Sequence, residues 1–397
     1  MHICFVNMPI EYYSPVSGGA IATVIMSTGR ELLARGHQVS VITRVNGDGI
    51  YGVGDVMPIE MWDRSNLHFF QRRLSSIRQR IHGWDWPYFE HYLRSVLEKL
   101  ARMTPIPDAV VVCNDLVSPS YIKQNLPRTK VIAWLHNECH TRFDMRKTIE
   151  STDVFVTCSD YIRQWTSAHY DIPAGDISVA LNGVDAGVFK PGIESRRDGE
   201  EVKVLFLGRI DPNKGPDLAV DAVAALRAEK LPVSITVAGG LWFYGHGNEM
   251  SDPFFRSLKA KMDAAGAEYL GHVTRARIPA LVRRHDVACV LSRSNEPFGL
   301  TALEAMAGGC AVVASGRGGL PEACGGAALV ADPDDLQSVI AALRSLVTDR
   351  KLLNLQKQKS LERAARASWS GCADVFERAV LGNQGEIRPA QLQAMAA

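Results

Sequence analysis

Val287-Ala288-Cys289-Val290-Leu291 leads through Ser292-Arg293 into Ser294-Asn295-Glu296-Pro297-Phe298-Gly299-Leu300-Thr301-Ala302-Leu303-Glu304-Ala305-Met306-Ala307-Gly308-Gly309. The first stretch is a short apolar run and reads as a buried strand. The second is a loop that enters a helix near Leu300, and the glycine pair Gly308-Gly309 ends it. The same style extends on both sides. Val202 to Leu207, Val233 to Ala238, Ala311 to Ala314 and Ala327 to Val330 read as strands, with helices over Asp217 to Ala228 and Leu336 to Leu346. Strands alternating with helical segments predict a mostly parallel, doubly wound α/β sheet.

The first half carries a second series. Ile3 to Val6 reads as a strand, and a loop with Gly and Pro follows, closing on Ser17-Gly18-Gly19. Ile21, Val24, Ile25, Leu32 and Leu33 then recur at helical spacing until Gly36. Val39 to Thr43, Ala109 to Cys113, Val131 to Leu135, Val154 to Cys158 and Ile177 to Ala180 continue as strands. Residues 189–201 are charged and contain Pro and Gly, which is linker chemistry. A chain of 397 residues exceeds one ordinary core. The expectation is two Rossmann-like domains, 1–192 and 193–366, whose parallel sheets face each other across a cleft.

Lys plus Arg total 44 and Asp plus Glu 43, a net charge of +1, which argues against a dedicated nucleic-acid binder. The eight cysteines show no C-x-x-C and no finger spacing, so they read as reduced thiols of a cytoplasmic protein. Met1 to Asn7 lacks the basic start of a signal peptide, and no apolar run reaches the ~18 residues of a spanning helix. Residues 62–89 stand apart. Arg64, Arg72, Arg73, Arg78 and Arg80 are interleaved with Phe69, Phe70, Leu74, Ile77 and Ile81, and Trp84, Trp86, Tyr88 and Phe89 follow. A solvated basic face is the plainer reading. A patch for an anionic acceptor, or a peripheral contact with the inner membrane face, is the sharper one.

The chemistry concentrates where strands end. The first amides of a helix lack partners within it, and the dipole there favours negative charge. A phosphate would suit the amides of Gly299, Leu300 and Thr301. Glu296 and Glu304 would flank it as acceptors for hydroxyls. Taken singly, Glu296 reads as a carboxylate at a helix entrance and Glu304 as a solvated helical residue. Phe206-Leu207-Gly208-Arg209-Ile210-Asp211-Pro212-Asn213-Lys214-Gly215 puts two cations, Arg209 and Lys214, after a strand, where open α/β sheets bind ligands. They suit a diphosphate, although a surface turn reads the same way in isolation. Gly18-Gly19 lies at a helix entrance without G-x-G-x-x-G, so a nicotinamide dehydrogenase is poorly supported. In Trp134-Leu135-His136-Asn137-Glu138 a strand ends in His136, a core histidine or a contact residue.

Together these positions resemble the retaining nucleotide-sugar glycosyltransferases of family 4, of GT-B architecture. The matching stretches are Ser17-Gly18-Gly19, Asn182-Gly183-Val184-Asp185, Gly208-Arg209 with Lys214-Gly215, and Gly271-His272-Val273. Glu296 to Glu304 as E-x7-E and Gly318-Gly319-Leu320-Pro321-Glu322 complete the set. Trp369 stands where the family often has Trp, before a last helix (within 367–397) that crosses back to complete the first domain. The resemblance implies that Glu296 holds donor-sugar hydroxyls and Glu304 the ribose. Arg209 and Lys214 would neutralise the diphosphate, helped by Gly18, Gly19 and the amides of 298–301. His136 would lie near the transferred sugar, and the segment around Val273 would meet the nucleobase.

The implied activity is retaining, metal-independent hexosyl transfer from a nucleotide sugar, UDP by family frequency, to a glycan, lipid-linked or small-molecule hydroxyl. The nucleotide sugar is a co-substrate, and no cofactor is implied. Asp332-Pro333-Asp334 falls outside the family's site and is read as no metal motif. The competing readings are a GT-B epimerase or hydrolase and a non-catalytic nucleotide-sugar-binding scaffold. The sequence departs from the family at Ser292-Arg293, where Pro-Ser is usual, at Ala311, and in an insertion after Gly240 with Trp242, Phe243, Tyr244 and His246.

Overall fold

Strand β1 (His2–Val6) is buried along its whole length and pairs in parallel with β2 (Gln38–Arg44) on one side and β4 (Ala109–Cys113) on the other. That reversal of strand order beside β1 is the mark of a doubly wound sheet. The computed structural model describes residues 1–16, 19–45, 49–60, 73, 86–140, 145–191, 200–241 and 248–381. Two compact units emerge. Of the described residues, one takes in 1–15, 19–181 and 370–381, and the other 16 and 182–369.

The first unit holds a seven-stranded parallel sheet in the order β3-β2-β1-β4-β5-β6-β7, completed by β3 (Asp55–Ile59), β5 (Lys130–Leu135), β6 (Val154–Thr157) and β7 (Ile177–Val179). Its helices are α1 (Ala20–Ala34), α2 (Trp86–Arg102), α3 (Ser118–Asn125), α4 (Met145–Ser151) and α5 (Asp160–Tyr170). Helix α1 buries Ile21, Val24, Ile25, Thr28 and Leu32, the three-to-four spacing of one apolar face.

The second unit holds a six-stranded parallel sheet in the order β10-β9-β8-β11-β12-β13. Its strands are β8 (Val202–Leu207), β9 (Val233–Ala238), β10 (Glu268–Gly271), β11 (Val287–Val290), β12 (Ala311–Ala314) and β13 (Leu329–Val330). The helices are α6 (Pro216–Ala228), α7 (Pro253–Ala265), α8 (Ile278–Arg283), α9 (Leu300–Ala307), α10 (Leu320–Cys324), α11 (Leu336–Thr348) and α12 (Arg350–Arg366). Val204 and Phe206 of β8 pack with Ala219, Val220 and Val223 of α6 in one core cluster. Each such Val or Phe side chain contributes about 1.5–3 kcal/mol by leaving water.

The last helix, α13 (Trp369–Leu381), lies from Ser370 onward with the first unit. Phe376 is fully buried against Phe5 and Trp134, with ring centroids 5.9 Å and 4.5 Å away. Arg35 donates to Asp374 at 2.7 Å and to Glu377 at 2.6 Å, and Lys130 donates to the carbonyls of Ala379 and Val380, both at 2.9 Å. Those last carbonyls belong to a helix C-terminus, where a cation is favoured.

The units divide at Leu181/Asn182, ahead of the expected linker, and Phe189 at the linker's start is buried at 2% exposure. Val184 donates its amide to Ala367 O at 2.9 Å, which ties the stretch after Asn182 to the second unit. Of the aromatic–basic stretch 62–89 most lies outside the described residues. At its end Phe89 is a core residue, 5.9 Å from Tyr92 between ring centroids, and not a surface anchor. Seven of the eight cysteines are buried, as small core residues. Among the described residues no helix is long and apolar enough to cross a membrane.

Candidate active site

The candidate site of the second unit is assembled at the carboxyl ends of β8, β11 and β12. The loop after β11 is held by a parallel bridge between Glu296 and Gly318, and the amide of Gly319 donates to Glu296 O at 2.6 Å. The loop then enters α9 through Gly299, whose φ of 113° and ψ of 54° are reached at little cost only by glycine. A Cβ there would stand 2.5 Å from Leu320 Cδ2 of α10. The backbone therefore turns sharply at this point, and the first amides of α9, which have no acceptor within the helix, follow directly.

Two charged pairs frame that helix entrance. Lys214, in the turn after β8, donates to Glu296 Oε1, and the Ser292 hydroxyl donates to the same oxygen. Glu296 is 8% exposed. Its other oxygen, Oε2, takes no hydrogen bond among the described residues and is left as an acceptor. On α9, Glu304 is 4% exposed and pairs with Arg275 at 2.5 Å. Arg275 also stacks over the Phe189 ring, 5.4 Å from its centroid. A carboxylate this deeply buried needs such a partner. The reading of Glu304 as a solvated helical residue is thereby corrected.

Arg209 sits more openly at the end of β8, 3.3 Å from Asp211. Phe298 is buried, and Leu300 and Thr301 are partly covered. Val273 is partly buried two residues before Arg275. The structure thus brings Lys214 to Glu296 and sets Glu304 beside Arg275. Asp334 of the Asp332-Pro333-Asp334 loop pairs with Arg317, a structural use of its charge.

His136 and Gly19 lie in the first unit. Gly18 lies outside the described residues. Gly19 caps α1 in the first unit, and there the Glu11 carboxylate accepts from the Ala22 amide at 3.0 Å. Burial pushes the Glu11 carboxyl up to about 7, while the Ala22 and Ile21 amides pull it down. The Glu11 carboxyl thus serves amides in the first turn of α1, after Gly19. His136 follows β5, buried at 6% exposure and 4.4 Å from the Trp134 ring between centroids. Its amide donates to Asn114 Oδ1 at 3.0 Å, while its Nε2 has no partner among the described residues. Burial lowers its pKa to about 3, so the ring is neutral at ordinary pH.

Sequence reasoning missed Arg275, Ser292 as a Glu296 ligand, and Glu11. Arg275 follows the Gly271-His272-Val273 turn, and a cation on that turn was the available signal. Nothing local in Glu11 marks it, because its partner is a helix start across a loop.

The family model described as "Glycosyl transferases group 1" matches residues 193–367, and that described as "Glycosyltransferase Family 4" matches residues 18–188. A D-inositol 3-phosphate glycosyltransferase of Corynebacterium urealyticum is 26% identical over 94% of this chain and 93% of its own. One of Mycobacteroides abscessus is 33% identical over 60% of this chain and 55% of its own. A glycogen synthase of Mycobacterium tuberculosis is 28% identical over 61% of this chain and 57% of its own. Alignment with those last two thus takes in little more than half of each. Among solved structures, Anabaena Alr3699/HepE in complex with UDP-glucose superposes with a TM-score of 0.70 at 17% identity, over 96% of this chain and 100% of that one. Sucrose-phosphate synthase from Thermosynechococcus elongatus gives 0.71 at 17% identity, over 95% and 97%. The two profiles between them span both units, the solved folds match along the whole chain, and the protein belongs to the family 4 glycosyltransferases of GT-B fold.

Proposed function

We propose that the protein moves a sugar from a nucleoside-diphosphate sugar, with uridine as the base, to a hydroxyl acceptor with retention of anomeric configuration. The acceptor is a glycan, a lipid-linked saccharide or a small molecule. The observation that carries this reading is the meeting of Lys214 and Glu296 beside the amides that open α9. HepE was solved with UDP-glucose, and three of the similar proteins named above are glycosyltransferases or synthases by name, which supports the donor class.

In this mechanism the leaving diphosphate gains negative charge as the sugar becomes oxocarbenium-like. Lys214, Arg209 and the α9 amides take up that charge, so the step we propose calls for no metal ion. Glu296 Oε2 accepts from donor-sugar hydroxyls, while Oε1 keeps Lys214 and Ser292 in place. Glu304, steadied by Arg275, accepts from the ribose. The departing phosphate's own oxygen takes the acceptor proton, as front-face attack requires. His136, neutral by burial, supplies a hydrogen-bonding imidazole in place of a charge.

The test is product NMR with UDP-glucose, other UDP-sugars and GDP-mannose in turn. The expected result is an anomeric configuration kept from donor to product. Inversion would reject the mechanism. Replacing Lys214 by Ala should lower turnover by about 10²–10³-fold, the range for loss of one preorganised charge donor. Full activity in that variant would reject its role.

A further inference from the structure

We infer that Arg293 is a positioning residue for Lys214, locking the loop that carries Glu296 to the turn that carries the lysine. The inference rests on the donor-site reading above and adds to it a residue that no part of that reading uses. Arg293 stands where the family usually has Pro-Ser, so its role has to come from its own contacts.

Those contacts converge on one element. The Arg293 amide donates to Asn213 O at 2.7 Å, and its Nη1 donates to Pro212 O at 2.6 Å. Its two terminal nitrogens also fork onto the Asp217 carboxylate, Nη1 to Oδ1 at 2.9 Å and Nη2 to Oδ2 at 2.6 Å. Pro212, Asn213 and Asp217 bracket Lys214 in the chain. The turn between them is otherwise fixed from within, where Asp211 accepts from the Asn213 amide at 2.9 Å. Gly215, with φ at 70°, lets the turn lie against Leu291 O, which any Cβ there would strike.

The far side of Arg293 is held as well. Arg317 donates to Arg293 O and pairs with Asp334. Arg317 directly precedes Gly318, the bridge partner of Glu296. The Arg293 guanidinium thus ties the loop that carries Glu296 to the turn that carries Lys214, while its backbone carbonyl receives Arg317 from the third loop. The Arg293 side chain is 29% exposed and Asp217 18%, so the fork is shielded enough to hold its geometry. The fork also pairs the Asp217 charge. A catalytic cation displaced by about 1 Å can cost as much as 10²-fold.

The test is a double-mutant cycle on the full chain, read by isothermal titration of UDP, with GDP and ADP run beside it. Arg293→Ala is expected to weaken nucleotide binding about tenfold alone, and less than twofold when Lys214 is already Ala. Arg293→Lys, which keeps the charge and loses the fork, should fall between wild type and Arg293→Ala. Equal losses in both backgrounds would show general loosening and overturn the inference. An Arg293→Ala protein that binds like wild type, while Lys214→Ala binds weakly, would overturn this inference alone. A wild type that binds none of the three nucleotides would overturn the donor-site reading and this inference with it. Should Arg293→Ala not fold, Asp217→Asn breaks the fork isosterically and carries the same expectations.

Discussion

Arg275 Nη1 lies 2.5 Å from Glu304 Oε1, and the two side chains differ sharply in burial, 27% and 5% exposed. The carboxylate therefore carries most of the desolvation cost and depends on the arginine. Replacing Arg275 by Ala should destabilise the protein by about 3–5 kcal/mol, the usual cost of stranding a buried charge. Glu304→Gln should cost less, because the amide oxygen still accepts from Arg275 and the arginine reaches water. Both should weaken UDP binding. Urea unfolding of the two variants checks the order. A Glu304→Gln protein less stable than Arg275→Ala would contradict this account of which partner bears the burial.

Much of this was legible beforehand. The central strands are continuous apolar runs, as expected for strands buried on both faces, and β8, β9, β12 and helix α9 fall where the pattern places them. The edge strands β3 and β10 were not read. Asp55-Val56-Met57-Pro58-Ile59 contains a proline that an edge tolerates, and Glu268-Tyr269-Leu270-Gly271 is four residues long, too short to show a period. Lys214 and Glu296 were legible because their loops carry Gly and Pro at telling positions, and Glu304 because it stands one turn into the helix that follows. Their partners Arg275, Ser292 and Arg293 were not, since ion pairing across loops is tertiary and leaves no periodicity. Glu11 escaped for the same reason.

Glu11 yields a prediction about pH. A free glutamate titrates near 4.3, whereas burial pushes this one up to about 7. The folded protein therefore binds a proton between those values that the unfolded chain has released. The resulting stability is fully present below about pH 4.3 and is lost as pH rises through about 7. Glu11→Gln keeps the shape and the acceptor oxygen for Ala22 and cannot ionise. Relative to wild type it should gain roughly 2–3 kcal/mol between pH 5 and pH 8. Urea midpoints at the two pH values measure this, and a difference that stays flat would place the Glu11 titration near its ordinary range.

Phe376 tests how the last helix is held. Its ring fills the space between Phe5 and Trp134, and Trp134 in turn lies 4.4 Å from His136 between ring centroids. Phe376→Ala should cost about 3–5 kcal/mol, transfer and cavity terms together. A variant with Leu, which refills most of the volume, should recover over half of that loss in urea unfolding. A loss under about 1 kcal/mol for Ala would mean that the helix is anchored by its Arg35 and Lys130 contacts and not by this ring.

Gly299 sets the direction of α9, and two separate costs fall on any side chain placed there. A non-glycine residue at φ 113° is strained by about 1–3 kcal/mol, and its Cβ would press on Leu320, which is itself fully buried. Gly326 provides the control, with a positive φ of 74° and open space where a Cβ would go. Gly326→Ala should therefore pay strain alone. Gly299→Ala should pay strain and collision, and relieve both by tilting the helix entrance away from Lys214 and Glu296. We expect Gly299→Ala to lose at least tenfold in UDP affinity and Gly326→Ala to bind as wild type. Equal affinities in the two variants, with Gly299→Ala folded, would mean that the amides opening α9 do not hold the diphosphate.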